Sequence, residues 1–259
     1  MLLAFDLDNT IVTYDYHLPR TIENSIQRAR AAGHAVAVLT GRARASALLY
    51  LEQLELKGPY GVNNGALVVG SEGEILKQVR IAASEVQALV DYVDSSEIEF
   101  CCMLDDTLFV RDPDHHYWTW AHTQNRAVVA LEAGAAPAAD KVVFGGDGAS
   151  ALLGRVIAER YPQFVAYEWT EGYLEVTGRD ADKGMALELI ADHLGFVRGE
   201  VVAFGDGIND VTMLSWAGHG VAVGPHAHPG VRAVAGEHIP SPERDGVAEW
   251  LEANLLGPR

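Results

Sequence analysis

The first apolar run of the chain ends in two carboxylates. In MLLAFDLDNTIV, Leu2 to Phe5 reads as a buried strand, and Asp6 and Asp8 follow it at i and i+2. On an extended backbone that spacing sends both side chains to one face, where like charges repel unless a cation lies between them. Far along the chain, GDGIND adds Asp206 at the end of the apolar run 201–204 and Asp210 four residues on, at a helix start. Asp6, Asp8 and Asp206 together call for a hard, oxygen-preferring cation, so a Mg²⁺ site is expected, with Asp210 either a direct ligand or a carboxylate behind the others.

The same sequence supplies donors for an anion. Thr40 closes the apolar run AVAVL, and Gly41 follows it, so its amide can meet a bound group with no side chain in the way. Lys183 falls in the first turn of its helix, where the macrodipole disfavours a cation, so something anionic should face it. Asn209 offers a further donor from a helix start, and a phosphoryl group would use all of these together with the metal. The chemistry that fits is phosphoryl transfer to a carboxylate: Asp6 as nucleophile, Asp8 protonating the leaving oxygen and then activating water, and Mg²⁺ clamping and neutralising charge.

Such a constellation needs strands that end in one place. The runs Leu2 to Phe5, Ala35 to Leu39 and 201–204 are apolar on both faces, as strands covered by helices on both sides must be. Helices are expected over about 19–32 and 43–56, in KGMALELIADHLG, in INDVTMLSWAG, and near 246–255. Strands alternating with helices imply a parallel sheet, and open parallel sheets bind ligands at the carboxyl ends of their strands. Asn63-Asn64-Gly65 marks a turn. Between about 81 and 178 the rhythm changes: a helix, the strand-like EIEFCCML and TLFVRD, a Trp/His-rich segment, KVVFGG, another helix, then FVAYEWT and YLEVT paired across a turn at Glu171-Gly172. This predicts an α/β fold with a parallel-sheet core of residues 1–80 and 179–259 and an inserted mixed α/β domain over 81–178.

The formal charge of −17 sets the chain against nucleic acid and anionic membrane surfaces, which would repel it at long range. No apolar stretch is long enough for an ordinary membrane span. The two cysteines, Cys101 and Cys102, are adjacent, which offers no spaced disulfide framework and fits a reducing cytoplasm. The same charge would welcome divalent cations.

DLDNT at residues 6–10, LTGR around Thr40, DKG at Lys183 and GDGIND at 205–210 resemble the four ordered motifs of the haloacid dehalogenase (HAD) superfamily of phosphatases. The insert after the second motif, NNGALV and the late GVAVGPHAHPGV resemble its Cof-type branch, whose cap is a mixed α/β domain. The resemblance implies a Rossmann-like core, Mg²⁺-dependent hydrolysis of phosphomonoesters, of sugar phosphates among others, through a phospho-aspartate, and a cap that closes over substrate. By motif, nucleophile, acid/base, Thr, Lys and metal-binding Asp correspond to Asp6, Asp8, Thr40, Lys183 and Asp206, with Asp210 and Asn209 beside metal and phosphate. Asn9 and Gly207 depart from the commonest wording, where Gly and Asn are frequent.

Bland readings stand beside these. Asn64 is accounted for by an Asn-Gly turn as well as by contact with substrate. His115, His116 and His122, with Trp118 and Trp120, suggest aromatic packing, and His219, His226 and His228 lack the spacing of a helical metal site. A phosphomutase, or a non-catalytic phospho-acceptor of the receiver kind, would use a similar set of residues, though a receiver needs neither the second Asp at i+2 nor a large insert.

Overall fold

The computed structural model of the chain describes residues 1–93, 96–123, 126–146, 148–170 and 172–257. It forms two compact units, Met1–Gln78 with Ala181–Arg259, and Val79–Asp180. The first segment carries β1 (Leu2–Phe5), α1 (Arg20–Ala31), β2 (Ala35–Leu39), α2 (Arg44–Gln53), β3 (Tyr60–Val62), β4 (Leu67–Val69) and β5 (Ile75–Gln78). The second unit follows with α3 (Ala83–Val93), β6 (Glu99–Leu104), β7 (Thr107–Val110), α4 (Thr119–Thr123), β8 (Ala127–Ala130), β9 (Lys141–Gly145), α5 (Ala149–Arg160), β10 (Phe164–Thr170) and β11 (Tyr173–Gly178). The chain then returns to the first unit through α6 (Lys183–Leu194), β12 (Val201–Gly205), α7 (Val211–Trp216), β13 (His219–Val223), α8 (Pro229–Val234), β14 (Glu237–Ile239) and α9 (Gly246–Leu251).

The first unit is built on one sheet in the order β14-β13-β12-β1-β2-β3-β4-β5, parallel from β14 to β3 and antiparallel thereafter. Its central strands are buried on both sides, and their alternation divides the core in two. Leu3, Phe5, Val36, Val38, Val202 and Phe204 pack against α1, α2 and α9, while Leu2, Ala4, Ala37, Leu39, Val201 and Ala203 face α6 and α7. On the second face Ala37, Ala4 and Ala203 stand side by side across β2, β1 and β12, and Gly220 continues the row on β13. Small side chains let a helix lie close to the sheet. A Cβ on Gly65 would come 2.7 Å from Ala186 Cβ and from the Asp182 carbonyl, so the start of α6 is pressed against the 63–65 turn.

That turn matches its sequence signal: Asn63, Asn64 and Gly65 all have positive φ (49°, 57° and 86°), a run that Asn and Gly adopt more readily than other residues. Helix α6 is capped by Asp182, whose carboxylate accepts from Met185 N at 2.8 Å, and closes on Gly195 in the left-handed conformation. The single helix expected in INDVTMLSWAG is broken: Ile208–Asp210 is a 3₁₀ turn and α7 begins only at Val211, because the Asp210 carboxylate bonds back to the loop before it. The last helix is regular over Gly246–Leu251 and widens to a π turn over Glu252–Leu256.

The second unit has a six-stranded sheet, β10-β11-β9-β6-β7-β8, antiparallel except for the β7–β8 pair. Helices α3 and α5 cover one face through Val86, Leu89, Leu153 and Ile157, packed on Phe100, Cys102, Val142 and Phe144. Trp118 and Ala121 lie against Cys101, Met103 and Val143 on the other. The two cysteines thus point to opposite faces, both buried and free. The turn expected at Glu171-Gly172 falls partly outside the described residues; Gly172 has φ +89°. Among the described residues no helix is long and apolar enough to cross a membrane.

Candidate active site

Asp6 follows β1 directly, and its amide still bonds to Phe204 O of β12 at 3.0 Å, which fixes the first strand end against the one that carries Asp206. Lys183 opens α6, whose approach to the sheet brings the ammonium to these strand ends. Its Nζ donates to Asp6 Oδ1 and to Asp210 Oδ1, each at 2.6 Å, and the side chain is 1% exposed. The anion that the sequence demands opposite Lys183 is supplied, in the protein itself, by two carboxylates.

Asp210 is fully enclosed and does more than pair with Lys183. Its Oδ2 accepts from the amides of Asp206 (3.0 Å) and Gly207 (2.8 Å), holding the loop that presents Asp206. Gly205 is required here, since a Cβ would stand 2.6 Å from Asp210 Cβ and Cγ. Asp206 Oδ1 in turn accepts from Thr10 Oγ1 at 3.1 Å.

Asp6, Asp206 and Asp210 each offer an oxygen within 4.8 Å of the others. Burial, then repulsion from Asp210, holds the Asp6 carboxyl well above the ordinary carboxylate range, against the opposing pull of Lys183. Burial and the same neighbour push Asp206 up to about 7. Burial pulls Lys183 down, but Asp210 and Asp6 outweigh it and hold the ammonium above its ordinary value. With all three ionised, three carboxylates against one ammonium leave two negative charges, the deficit that one divalent cation neutralises. An all-oxygen donor set with unmet negative charge fits a hard cation such as Mg²⁺. Among the described residues none of the six histidines singled out in the sequence belongs to this group.

Asp8, counted above with the metal carboxylates, lies outside the group of three. Its carboxylate is held by Arg42 through two bonds, Nε to Oδ2 at 2.8 Å and Nη2 to Oδ1 at 2.5 Å. β1 has ended at Phe5, and the chain turns through Asn9 at φ +56°, so the same-face rule for i and i+2 no longer governs Asp8. Arg42 is a site residue to which the sequence reading gave no role. Its signal was its position, directly after Thr40-Gly41 at the end of β2.

The donor side converges as well. Thr40 is fully buried, its amide bonded to Gly61 O and its carbonyl to Asn64 N, and its hydroxyl accepts from Arg42 N at 3.1 Å. A Cβ on Gly41 would lie 3.0 Å from Asn64 Oδ1 and 3.4 Å from Asn209 Nδ2, so the glycine lets the two asparagines stand close against the backbone. Asn209 Nδ2 donates to Asn64 Oδ1 at 2.8 Å. Asn64 is therefore both the residue of an Asn-Gly turn and a neighbour of Gly41 and Asn209.

Comparison with known proteins bears on the family and the fold. The sequence model of the haloacid dehalogenase-like hydrolases matches residues 3–251. The chain is 27% identical to 5-amino-6-(5-phospho-D-ribitylamino)uracil phosphatase of Bacillus subtilis, over 97% of this chain and 96% of that protein. It is 26% identical to pyridoxal phosphate phosphatase of Escherichia coli, over 98% of each. Among solved structures, the HAD subclass IIB sugar phosphatase BT4131 superposes with a TM-score of 0.83 at 23% identity, over 97% of this chain and 98% of that one, a likeness of fold.

Proposed function

This chain belongs to the haloacid dehalogenase-like hydrolase family, and from that premise we propose that it hydrolyses phosphomonoesters of small metabolites through an aspartyl-phosphate on Asp6, with Mg²⁺ as cofactor. The observation that carries the reading is Lys183 set 2.6 Å from both Asp6 and Asp210, with Asp206 in the same acidic group at the carboxyl ends of β1 and β12.

Asp6 and Asp206 would hold the cation, and Asp210, whose two oxygens serve Lys183 and the 206–207 amides, supports them from behind. When bound, the metal supplies charge neutralisation on the phosphoryl oxygens. The protein's own groups then divide the work. Lys183, the Thr40 hydroxyl, the Gly41 amide and Asn209 hold the phosphoryl oxygens. Asp6 attacks phosphorus with one carboxylate oxygen; the bond to the ester oxygen breaks, its electron pair stays on that oxygen, and Asp8 delivers the proton. In the second step Asp8 takes a proton from water, the water oxygen bonds to phosphorus, and the phosphorus–oxygen bond to Asp6 returns its pair to the carboxylate, releasing inorganic phosphate. Pairing with Arg42 occupies one lone-pair site on each Asp8 oxygen and leaves another on each for this proton.

The relatives' names support a substrate that is a small phosphorylated metabolite: a phosphoribitylaminouracil, pyridoxal phosphate and a sugar phosphate. We assign the choice among such compounds to the second unit, as the family resemblance implies. The test is release of inorganic phosphate with Mg²⁺ across a panel built on these classes, run beside Asp6→Asn. Turnover is expected for at least one class and its loss in a folded Asp6→Asn. Activity retained in that variant would require another nucleophile.

A further inference from the structure

Asp8 is held by Arg42, and Arg42 is itself held. Its guanidinium lies 4.7 Å from the ring centroid of Tyr50 and 5.4 Å from that of Tyr16, and only 17% of the side chain is exposed. Tyr50 belongs to α2 and is buried; its hydroxyl donates to Tyr16 O at 3.1 Å. Tyr16 sits at the tip of a turn that Thr13 closes. Thr13 N and Thr13 Oγ1 donate to His17 O, at 2.8 and 2.9 Å, and Tyr16 N donates to Thr13 O at 2.9 Å.

Two features of Tyr16 are costly without a purpose. Its φ is +63°, a region sparsely populated by residues with a Cβ, and the residue is 70% exposed. Glycine or asparagine would make the turn with less strain, and a polar side chain would suit the exposure. What the tyrosine adds is an aromatic surface against Arg42. Strain of this kind persists where the surroundings impose it, and here the Tyr50 hydroxyl and the Thr13 bonds do so.

We infer that Tyr50 and Tyr16 are positioning residues for Asp8: together they clamp the Arg42 guanidinium, and through its two bonds they fix where the Asp8 carboxylate meets the leaving oxygen. Neither residue lies in the four motifs. A guanidinium between aromatic rings keeps its plane, and a planar two-bond pair passes that plane on to the carboxylate. Proton transfer to a leaving oxygen depends on such placement, so loosening the clamp should cost most where the leaving oxygen most needs a proton.

The inference rests on the reading of Asp8 as acid and base, and the experiment separates the two. kcat/KM is measured with Mg²⁺ for an alkyl phosphate found in the panel above and for p-nitrophenyl phosphate, whose leaving oxygen departs with little help from an acid. Asp8→Asn should lower the alkyl value by about 10²–10⁴ and the aryl value far less. Tyr50→Leu and Tyr16→Gly should each lower the alkyl value about tenfold and leave the aryl value within about twofold, while Tyr50→Phe and Tyr16→Phe, which keep the rings, should match the wild type. Glycine accepts the positive φ, so Tyr16→Gly removes the ring without straining the turn. If Asp8→Asn discriminates between the esters while Tyr50→Leu and Tyr16→Gly lower both in parallel or neither, the clamp has no part in placing Asp8. If Asp8→Asn fails to discriminate, the reading of Asp8 falls and this inference falls with it.

Discussion

Replacing Lys183 by methionine should unbalance the first unit in a way that pH reverses. The variant removes an ammonium that is 1% exposed and bonded at 2.6 Å to both Asp6 and Asp210. Methionine fills nearly the same volume, so little of the effect is a cavity. Two buried carboxylates lose their cation, and removing one partner of a buried pair costs about 3–5 kcal/mol. That is a large share of the roughly 5–15 kcal/mol that stabilises a domain. The sign with pH follows from Asp6, already held well above its ordinary value by burial and Asp210, with Lys183 pulling it down. Without Lys183 the folded state binds protons still more strongly. A carboxyl whose folded pKa exceeds its unfolded one contributes stability that is present at low pH and lost as pH rises from the unfolded value through the folded one. The deficit of Lys183→Met should therefore be full near pH 8 and narrow toward pH 4–5. Urea unfolding with EDTA at pH 5 and pH 8, read by hydrogen exchange of the β1 and β12 peptides, reports on the first unit. A deficit below about 1 kcal/mol at pH 8, or one equal at both pH values, would refute the reasoning.

The raised Asp206 carboxyl, at about 7, means that below this pH a cation has to displace a proton. Calorimetric titration with Mg²⁺ should give binding about tenfold weaker at pH 6 than at pH 8, and equal affinities would contradict the assignment of Asp206 to the metal. Gly205→Ala would place a Cβ 2.6 Å from Asp210 and drive that side chain off Lys183 and the Asp206 amide. Phosphate release should fall by about 10² or more with the fold kept by circular dichroism, and activity within about twofold of wild type would show that Asp210 need not stay where it is.

The central strands and their polar ends could be read from the sequence because burial on both faces leaves an uninterrupted apolar run that stops abruptly, as at Phe5 and Leu39. The edges could not. β5 (ILKQ), β8 (AVVA) and β14 (EHI) are mostly exposed or half-exposed, and edge strands with mixed composition carry no strong alternation. In the site, Asp6, Lys183, Asp206 and Asp210 could be gathered because each stands at a strand end or helix start, a place that topology determines. Arg42, Tyr16 and Tyr50 could not, since their meeting depends on the path of long side chains after folding. Thr10 was quoted within a motif, but nothing in its spacing pairs it with a carboxylate 196 residues away.

The pair Asp6 and Asp8 shows what spacing alone leaves open. Two like charges two residues apart seem to demand a single cation between them, and the protein answers with two cations of its own on two different paths. Asp6 keeps the strand's direction and meets Lys183 in a dry, acid-crowded enclosure, whereas Asp8 lies beyond the end of β1 and meets Arg42 where 40% of its side chain reaches solvent. The first setting fixes one oxygen of the proposed nucleophile, and the cation that its raised carboxyl calls for would hold it ionised. A group that must exchange protons with a leaving oxygen and then with water gains from the second. The separation of partners therefore gives the two aspartates different surroundings, on which the different tasks proposed for them rest.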